Sequence, residues 1–573
     1  MKYILDPQQN ELFDIAESEM STVAFNRLKK SIYAVFHYMV LPEMPAVMLG
    51  KHFHELIGRP TKELYSMCGL ILLKEFHNWT TTECVDFYIF DKKVHFALNM
   101  GSSNVSFCER TLERYMALIR KNDMAKIIFD RVTETLIKEL DLKVDQQRLD
   151  STHVFSDMAT FSRTKLMGVT IKRFLVQLKR HYLDEYISLP IEVRTRYKKN
   201  DNSMFADASK DKEKRSSLRQ DVAEEMHLII QSFSGNNSVE GMTTFKNLVT
   251  IFTQQCEVLD VVEVTVEESK PCNNTDGIKV DSLEDIEETT PFEAQVKNDE
   301  NSKSIEDAKP ILEVEESNEE PSVTINVLKK TGGNVIQNPS DLDATYDGHK
   351  GPGHQVQLAE TCNPENEVQL ITSAIPQTAV VSDANAIVPV LESLKESARM
   401  PWELLADSLY GSDDNVMTAA GEGVALVSPV CGTPPKKIAK EADAKQQRLN
   451  NRRIAQETDR WKKKYNLRAQ EEGTIGCIKR KTGMVRLRYR GEESVNCSMI
   501  LKVTGWNISR ATASVKIQAK IKAIIENKQK LQGEGSGFVP QTTILKEMAL
   551  WYIFMCSSKQ KLKIKKNIRA FVA

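Results

Sequence analysis

At 573 residues, of which 41% are apolar, the chain is too long for a single hydrophobic core and has enough apolar residues for roughly two to four domains. The overall net charge of −2 excludes a uniformly basic or acidic protein, yet it conceals a split. Residues 257–321 hold 21 Asp and Glu against 5 Lys and Arg, a net of −16, whereas residues 436–573 hold 32 Lys and Arg against 11 Asp and Glu, a net of +21.

The basic quarter is therefore a candidate polyanion-binding surface, because clustered cations release counterions from phosphate backbones. The acidic stretch is too poor in apolar residues to order itself and reads as a linker. No two of the ten cysteines lie closer than 16 residues apart, which argues against zinc pairs and a secreted disulfide framework. Asp6, Glu11 and Asp14 near the start speak against a signal peptide, and apolar runs such as Ala549 to Cys556 are too short to span a bilayer. The expectation is a reduced, soluble, cytoplasmic protein with no membrane partner.

In chain order, residues 1–140 predict a mainly helical N-terminal domain, with apolar residues at helical spacing from Phe25 to Val40 and from Leu64 to Phe76. A helix from Thr82 to Met100, closed by Gly101-Ser-Ser-Asn, precedes one opened by the capping box Ser106-Phe-Cys-Glu109. Two such helices around a polar turn could read DNA or could simply belong to a bundle. Residues 141–156 carry a strand ending near Asp150-Ser-Thr-His153, residues 157–256 a helical insertion, and residues 257–325 the acidic disordered linker.

Residues 326–530 then alternate strands and helices. Strands are predicted at His354–Glu360, Glu367–Ser373, Trp402–Ala406 and Gly423–Pro429, with helices at Asn385–Ser397, after Ser412 or Asp413, and over the basic stretch 439–482. Residues 531–573 form a basic tail. The strand order implies a mixed α/β sheet interrupted after its first strand.

Ligands collect beyond the carboxyl ends of strands in such sheets. Asp150 and Asp407 are expected there. Tyr465, Arg468, Glu472 and Lys479 lie at offsets 0, 3, 7 and 14, which at about 100° per residue puts all four on one helix face. An unbroken helix turns Glu471 about 100° away from Glu472, off that face, so Glu472 is preferred as the third acid. Three carboxylates from separate elements suit hard divalent cations, and two such ions assist in-line displacement at phosphorus. Arg468 and Lys479 would hold phosphates, and Tyr465 could stack or hydrogen-bond beside them. Asp413 and Asp414 read as helix-capping residues, Asp347 and His349 as turn residues, and His153 as either a phosphate contact or a structural hydrogen-bonding group.

The spacing Tyr465-x2-Arg468-x3-Glu472-x6-Lys479 resembles the YREK signature of a clan of bacterial insertion-sequence transposases of the DDE type. Arg148-Leu-Asp-Ser-Thr-His153 resembles the segment with that family's first Asp, and Leu404-Leu-Ala-Asp407-Ser-Leu-Tyr-Gly411 the segment with its second. Gln337 to Tyr346, Lys350-Gly-Pro-Gly353 and Arg486 to Gly491 are similar to it as well.

The resemblance implies an α/β ribonuclease-H-like catalytic domain, with a helical N-terminal domain that could recognise DNA ends and an inserted helical plus acidic segment. It further implies Asp150, Asp407 and Glu472 as catalytic ligands of two Mg²⁺ or Mn²⁺ ions. The partner is double-stranded DNA, both terminal inverted repeats and target, bound through Tyr465, Arg468 and Lys479. The enzyme would act as a homodimer in the synaptic complex, associated with the nucleoid. The alternative is a catalytically retired, transposase-derived DNA-binding protein or repressor.

Overall fold

The computed structural model describes residues 1–7, 20–100, 106–200, 204–205, 212–260, 323–329, 331–432 and 443–534. Most of the acidic linker and of the basic tail lies outside the described residues. The chain divides into two units, the first made of residues 1–170 with 331–573 and the second of residues 171–330.

Among the described residues the strands are β1 (Gln146–Val154), β2 (Cys256–Asp260), β3 (Val323–Val327), β4 (Thr345–Asp347), β5 (Gly351–Thr361), β6 (Ile371–Thr378), β7 (Glu403–Ala406) and β8 (Ala425–Val427). The second unit is helical apart from the antiparallel ribbon of β2 and β3, which joins the two ends of the acidic stretch. Its core gathers Phe174, Phe233 and Phe245, with ring centroids 5.5 to 5.8 Å apart between Phe174 and the other two.

The first unit holds one mixed sheet in the order β6, β5, β1, β7, β8, with β4 extending the start of β5. β1 runs antiparallel to β5 and parallel to β7, and β7 runs parallel to β8. A mixed sheet interrupted after its first strand is thus what the chain forms. The second predicted strand begins later than its apolar residues suggested, at Ile371 rather than Glu367, because residues 363–370 form a turn closed by Asn363, Asn366 and Gln369 side chains.

Nine helices of this unit carry the site and its core: α1 (Leu64–His77), α2 (Thr81–Phe90), α3 (Glu109–Lys121), α4 (Met124–Leu140), α5 (Ile387–Glu396), α6 (Asp413–Gly421), α7 (Asp459–Tyr465), α8 (Gln470–Thr482) and α9 (Glu492–Thr512). The helix expected over Thr82–Met100 is two helices. Asp91 takes an extended conformation and accepts hydrogen bonds from the N–H groups of Lys93 and Val94, so it ends α2 and caps a short helix, Lys92–Ala97. This is the competition by which Asp leaves helix interiors for caps. The expected capping box at Ser106 is absent too, since α3 begins at Glu109 after Cys108, without a side-chain cap.

α9 is apolar around most of its circumference, as befits a helix surrounded by other elements. It lies against α1, α4 and β6. A Cβ on Gly505 would stand 2.5 Å from Phe76, so glycine there allows α9 its close approach to α1. The Asn507 amide accepts from the N–H and donates to the carbonyl of Ile371, at 2.9 and 2.7 Å, tying the helix to the start of β6.

One ionic cluster is buried in this core. Glu75 on α1 accepts from Ser498 at 2.6 Å and from Tyr489, Lys74 donates to Tyr489 at 2.6 Å, and Lys502 donates to the Glu75, Asn78 and Thr482 oxygens. Burial lowers the Lys502 pKa to about 8. Removing one partner leaves buried charges uncompensated, so Glu75→Ala is expected to cost about 3–5 kcal/mol. Urea unfolding checks this, and the double variant Glu75→Gln with Lys502→Met should recover most of the loss.

Candidate active site

β1 and β7 are parallel neighbours in register from Gln146 with Glu403 to Leu149 with Ala406. The next step along both chains brings Asp150 beside Asp407. β1 continues to Val154 along β5, so Asp150 lies within a strand on that side and at the end of pairing on the other. Asp407 leaves β7 and opens a short 3-10 turn, where its carboxylate accepts from the N–H and the hydroxyl of Ser408. The cap of α6 is Ser412, while Asp413 in its first turn is buried against Arg448 at 2.6 Å and so is taken up by an ion pair.

Arg468 lies across the two aspartates. Its Nη2 is 3.1 Å from Asp150 Oδ2 and 3.7 Å from Asp407 Oδ2. Burial pushes the Asp150 carboxyl above its ordinary range, with Asp407 and Asp383 adding to the shift and Arg468 opposing it. Tyr465 belongs to the same group: its ring stacks on Trp461 with centroids 4.8 Å apart, and burial and Asp407 raise its pKa while Arg468 lowers it.

The basic stretch is not one helix. α7 ends at Tyr465, residues Asn466–Ala469 form a 3-10 turn, and α8 starts at Gln470. A 3-10 turn advances about 120° per residue against about 100° in an α-helix. The difference accumulates over the turn, swinging Glu471 toward the Arg468 face and Glu472 away from it. Glu471 is 1% exposed, whereas Glu472 is exposed to solvent. Burial raises the Glu471 pKa well above the carboxylate range, with Asp150 and Glu360 adding to the effect, and neither of its carboxylate oxygens has a hydrogen-bond partner. The fold thus brings Arg468 into contact with Asp150 and puts Tyr465 and Glu471 within electrostatic reach of it, while Glu472 faces solvent.

Two further residues hold that turn in place. Arg148, on the same face of β1 as Asp150, donates to the Leu467 carbonyl at 2.9 Å and pairs with buried Glu360 on β5. Thr474 on α8 donates to Glu360 Oε1 at 3.2 Å.

Lys479 lies on α8 farther along. Burial lowers its pKa, and so does the charge of Lys350. Lys350 projects from the turn between β4 and β5, which Asp347 fixes by accepting from the N–H groups of His349 and Lys350 at 2.7 and 2.6 Å. Its Nζ stands 3.5 Å from the Ser151 hydroxyl, which also donates to Asp383 at 3.0 Å. His153 is buried beneath, and burial with the charges of Lys350 and Lys479 keeps its pKa low, so its ring is neutral. Lys350, Asp383 and Glu360 went unassigned in the sequence. Lys350 sits within a quoted motif, but the other two lack any local signal.

Among the described residues, no three carboxylate, imidazole or thiol groups stand close enough to enclose a metal ion. The cation between Asp150 and Asp407 is a guanidinium. The donors nonetheless suit a hard divalent ion: all are carboxylate oxygens, and those of Glu471 are buried without a partner.

Residues 429–512 match the sequence model of the family described as transposase DDE domain. That stretch of the chain is similar to a transposase DDE domain. The matched stretch holds Tyr465, Arg468, Glu471, Glu472 and Lys479. No curated protein and no solved structure matches the chain. No described helix is long and apolar enough to cross a membrane.

The raised Glu471 pKa has a definite sign. A carboxyl that holds its proton more tightly when folded favours folding at low pH, and that advantage is lost as pH rises above the ordinary carboxylate range. Glu471→Gln removes the loss. At neutral pH the variant should melt at a higher temperature than wild type, with the gain shrinking toward about pH 4, while Glu472→Gln leaves the melting profile unchanged.

Proposed function

We propose that this transposase cuts DNA at the terminal inverted repeats of its own element and joins the freed 3′-hydroxyl to target DNA by two-metal phosphoryl transfer. The observation that carries the reading is that Asp150 and Asp407 share Arg468, with Glu471 buried within electrostatic reach of Asp150, in a chain with a DDE-domain match. The central position of the acids in a mixed sheet agrees with a ribonuclease-H-like fold.

Asp150, Asp407 and Glu471 would hold two Mg²⁺ or Mn²⁺ ions, which supply activation of the attacking hydroxyl and stabilisation of the leaving oxygen when bound. With its aspartates neutralised, Arg468 is released to make paired hydrogen bonds to a phosphate. Lys350 and Lys479 are near enough for the charge of one to act on the other, an arrangement that an incoming phosphate would relieve. Tyr465 backs Arg468 and offers its ring edge to the DNA. Two ends must be cut together, so a homodimer is the working unit. The Tyr-x2-Arg-x3-Glu-x6-Lys spacing favours a second placement, with Glu472 as the third ligand.

A supercoiled plasmid carrying the element's inverted repeats tests the proposal. Nicking and joining should require Mg²⁺ or Mn²⁺, and Asp150→Asn, Asp407→Asn and Glu471→Gln should each lower the rate on the order of 100-fold or more. Loss with Glu472→Gln alone would transfer the role to that residue. If wild type binds the repeats without cutting, the chain is a retired repressor. Cleavage without joining would make it a nuclease. Lys350→Ala should weaken DNA binding and reduce its log–log salt slope by about 1.

A further inference from the structure

A groove of about 580 Å³ opens on the first unit between α3, the start of α2 and the segment that carries Tyr489. Arg110, Arg114 and Arg120 line it, with Glu113 as its one acidic residue. The three arginines recur along one face of α3, and Ala117 between them leaves the face open. Arg110 and Arg114 are exposed and make no ion pair among the described residues. The lining keeps an excess of positive charge, three arginines against Glu113. Arg120 is held in place by donating to the Ser494 hydroxyl at 3.0 Å. The wall opposite is rigid as well, because Tyr489 is fixed by Lys74 and Glu75 of the buried ionic cluster.

A solvated helix face carries mixed charges and projects outward. Here three arginines outnumber one glutamate on a concave surface, and the excess positive charge favours an anion. Guanidinium groups present donors in a planar fork that matches phosphate oxygens, and an aromatic ring beside them offers a stacking surface. We propose that this groove is a second DNA contact, which grips the phosphate backbone away from the acidic centre through Arg110, Arg114 and Arg120. It rests on the reading of the chain as a DNA transposase and adds a backbone-holding site that does no chemistry.

The test is equilibrium binding of the full chain to a random-sequence DNA duplex without divalent ions, over a range of salt. Arg110→Ala with Arg114→Ala should weaken binding about 10-fold and flatten the log–log salt slope by about 2, since each phosphate contact contributes about 0.9. Charge reversal at both positions should weaken it further. Both residues are exposed, so the melting temperature should not move. An unchanged affinity and slope would overturn the proposal. Failure of the transposase reading is separable: a wild type that binds DNA through the groove but never nicks the plasmid keeps this inference and loses that one. A wild type that nicks while the double variant binds normally does the reverse.

Discussion

The acidic centre depends on the guanidinium of Arg468. Asp150 and Asp407 come from adjacent parallel strands, whose register sets them side by side. Like charges at such range raise each other's energy, and burial of Asp150 adds a desolvation cost. Arg468 offsets both by lying across the pair. A structural ion pair would do the same. What distinguishes this one is its surplus of acid: Glu471 is buried nearby with no donor of its own, and Asp383 presses on Asp150 from the other side. One guanidinium balances one carboxylate, and the remaining acids are accommodated by a retained proton, as the raised Glu471 pKa indicates, or by an added cation.

How the chain enters α8 sets the positions of these groups. Arg148 seizes the Leu467 carbonyl within the 3-10 turn and is itself anchored by Glu360, which also receives Thr474 from the first turns of α8. The turn and helix are thereby clamped to the two central strands. Because Arg148 and Asp150 share a face of β1, the residue that holds the turn and the residue that needs a cation are set by one strand. The cluster around Glu75 and Lys502 does comparable work at the other end of α8, where Lys502 takes the Thr482 carbonyl.

Much of this was legible in the sequence. The order of β1, β5, β6, β7 and β8 followed from periodicity, whereas β4 was not read and β2 and β3 order the two ends of the stretch expected to be a disordered linker; Asp407 was placed at a strand end by the apolar run Leu404-Leu-Ala406. Tyr465 and Arg468 were found by helical spacing and reach the aspartates. Which of Glu471 and Glu472 the fold buries was not legible, because the angular argument assumed a continuous α-helix. Nothing local in Asn466-Leu-Arg-Ala469 announces a 3-10 turn, since the clamp that imposes it comes from Arg148, more than 300 positions earlier. Glu360 and Asp383 were silent for the same reason. Their meaning lies in partners that only the folded sheet supplies. Asp91 shows the converse: the capping tendency of Asp was readable, but the surrounding apolar spacing argued for one long helix.

The central claim is that Glu471, carried round by the turn, completes a cation site with Asp150 and Asp407. Calorimetric titration of the purified chain with Mn²⁺ measures it most directly, without DNA and without turnover. The account predicts that binding is lost in Asp150→Asn and in Glu471→Gln and persists in Glu472→Gln. Binding that survives Glu471→Gln and disappears with Glu472→Gln would contradict it.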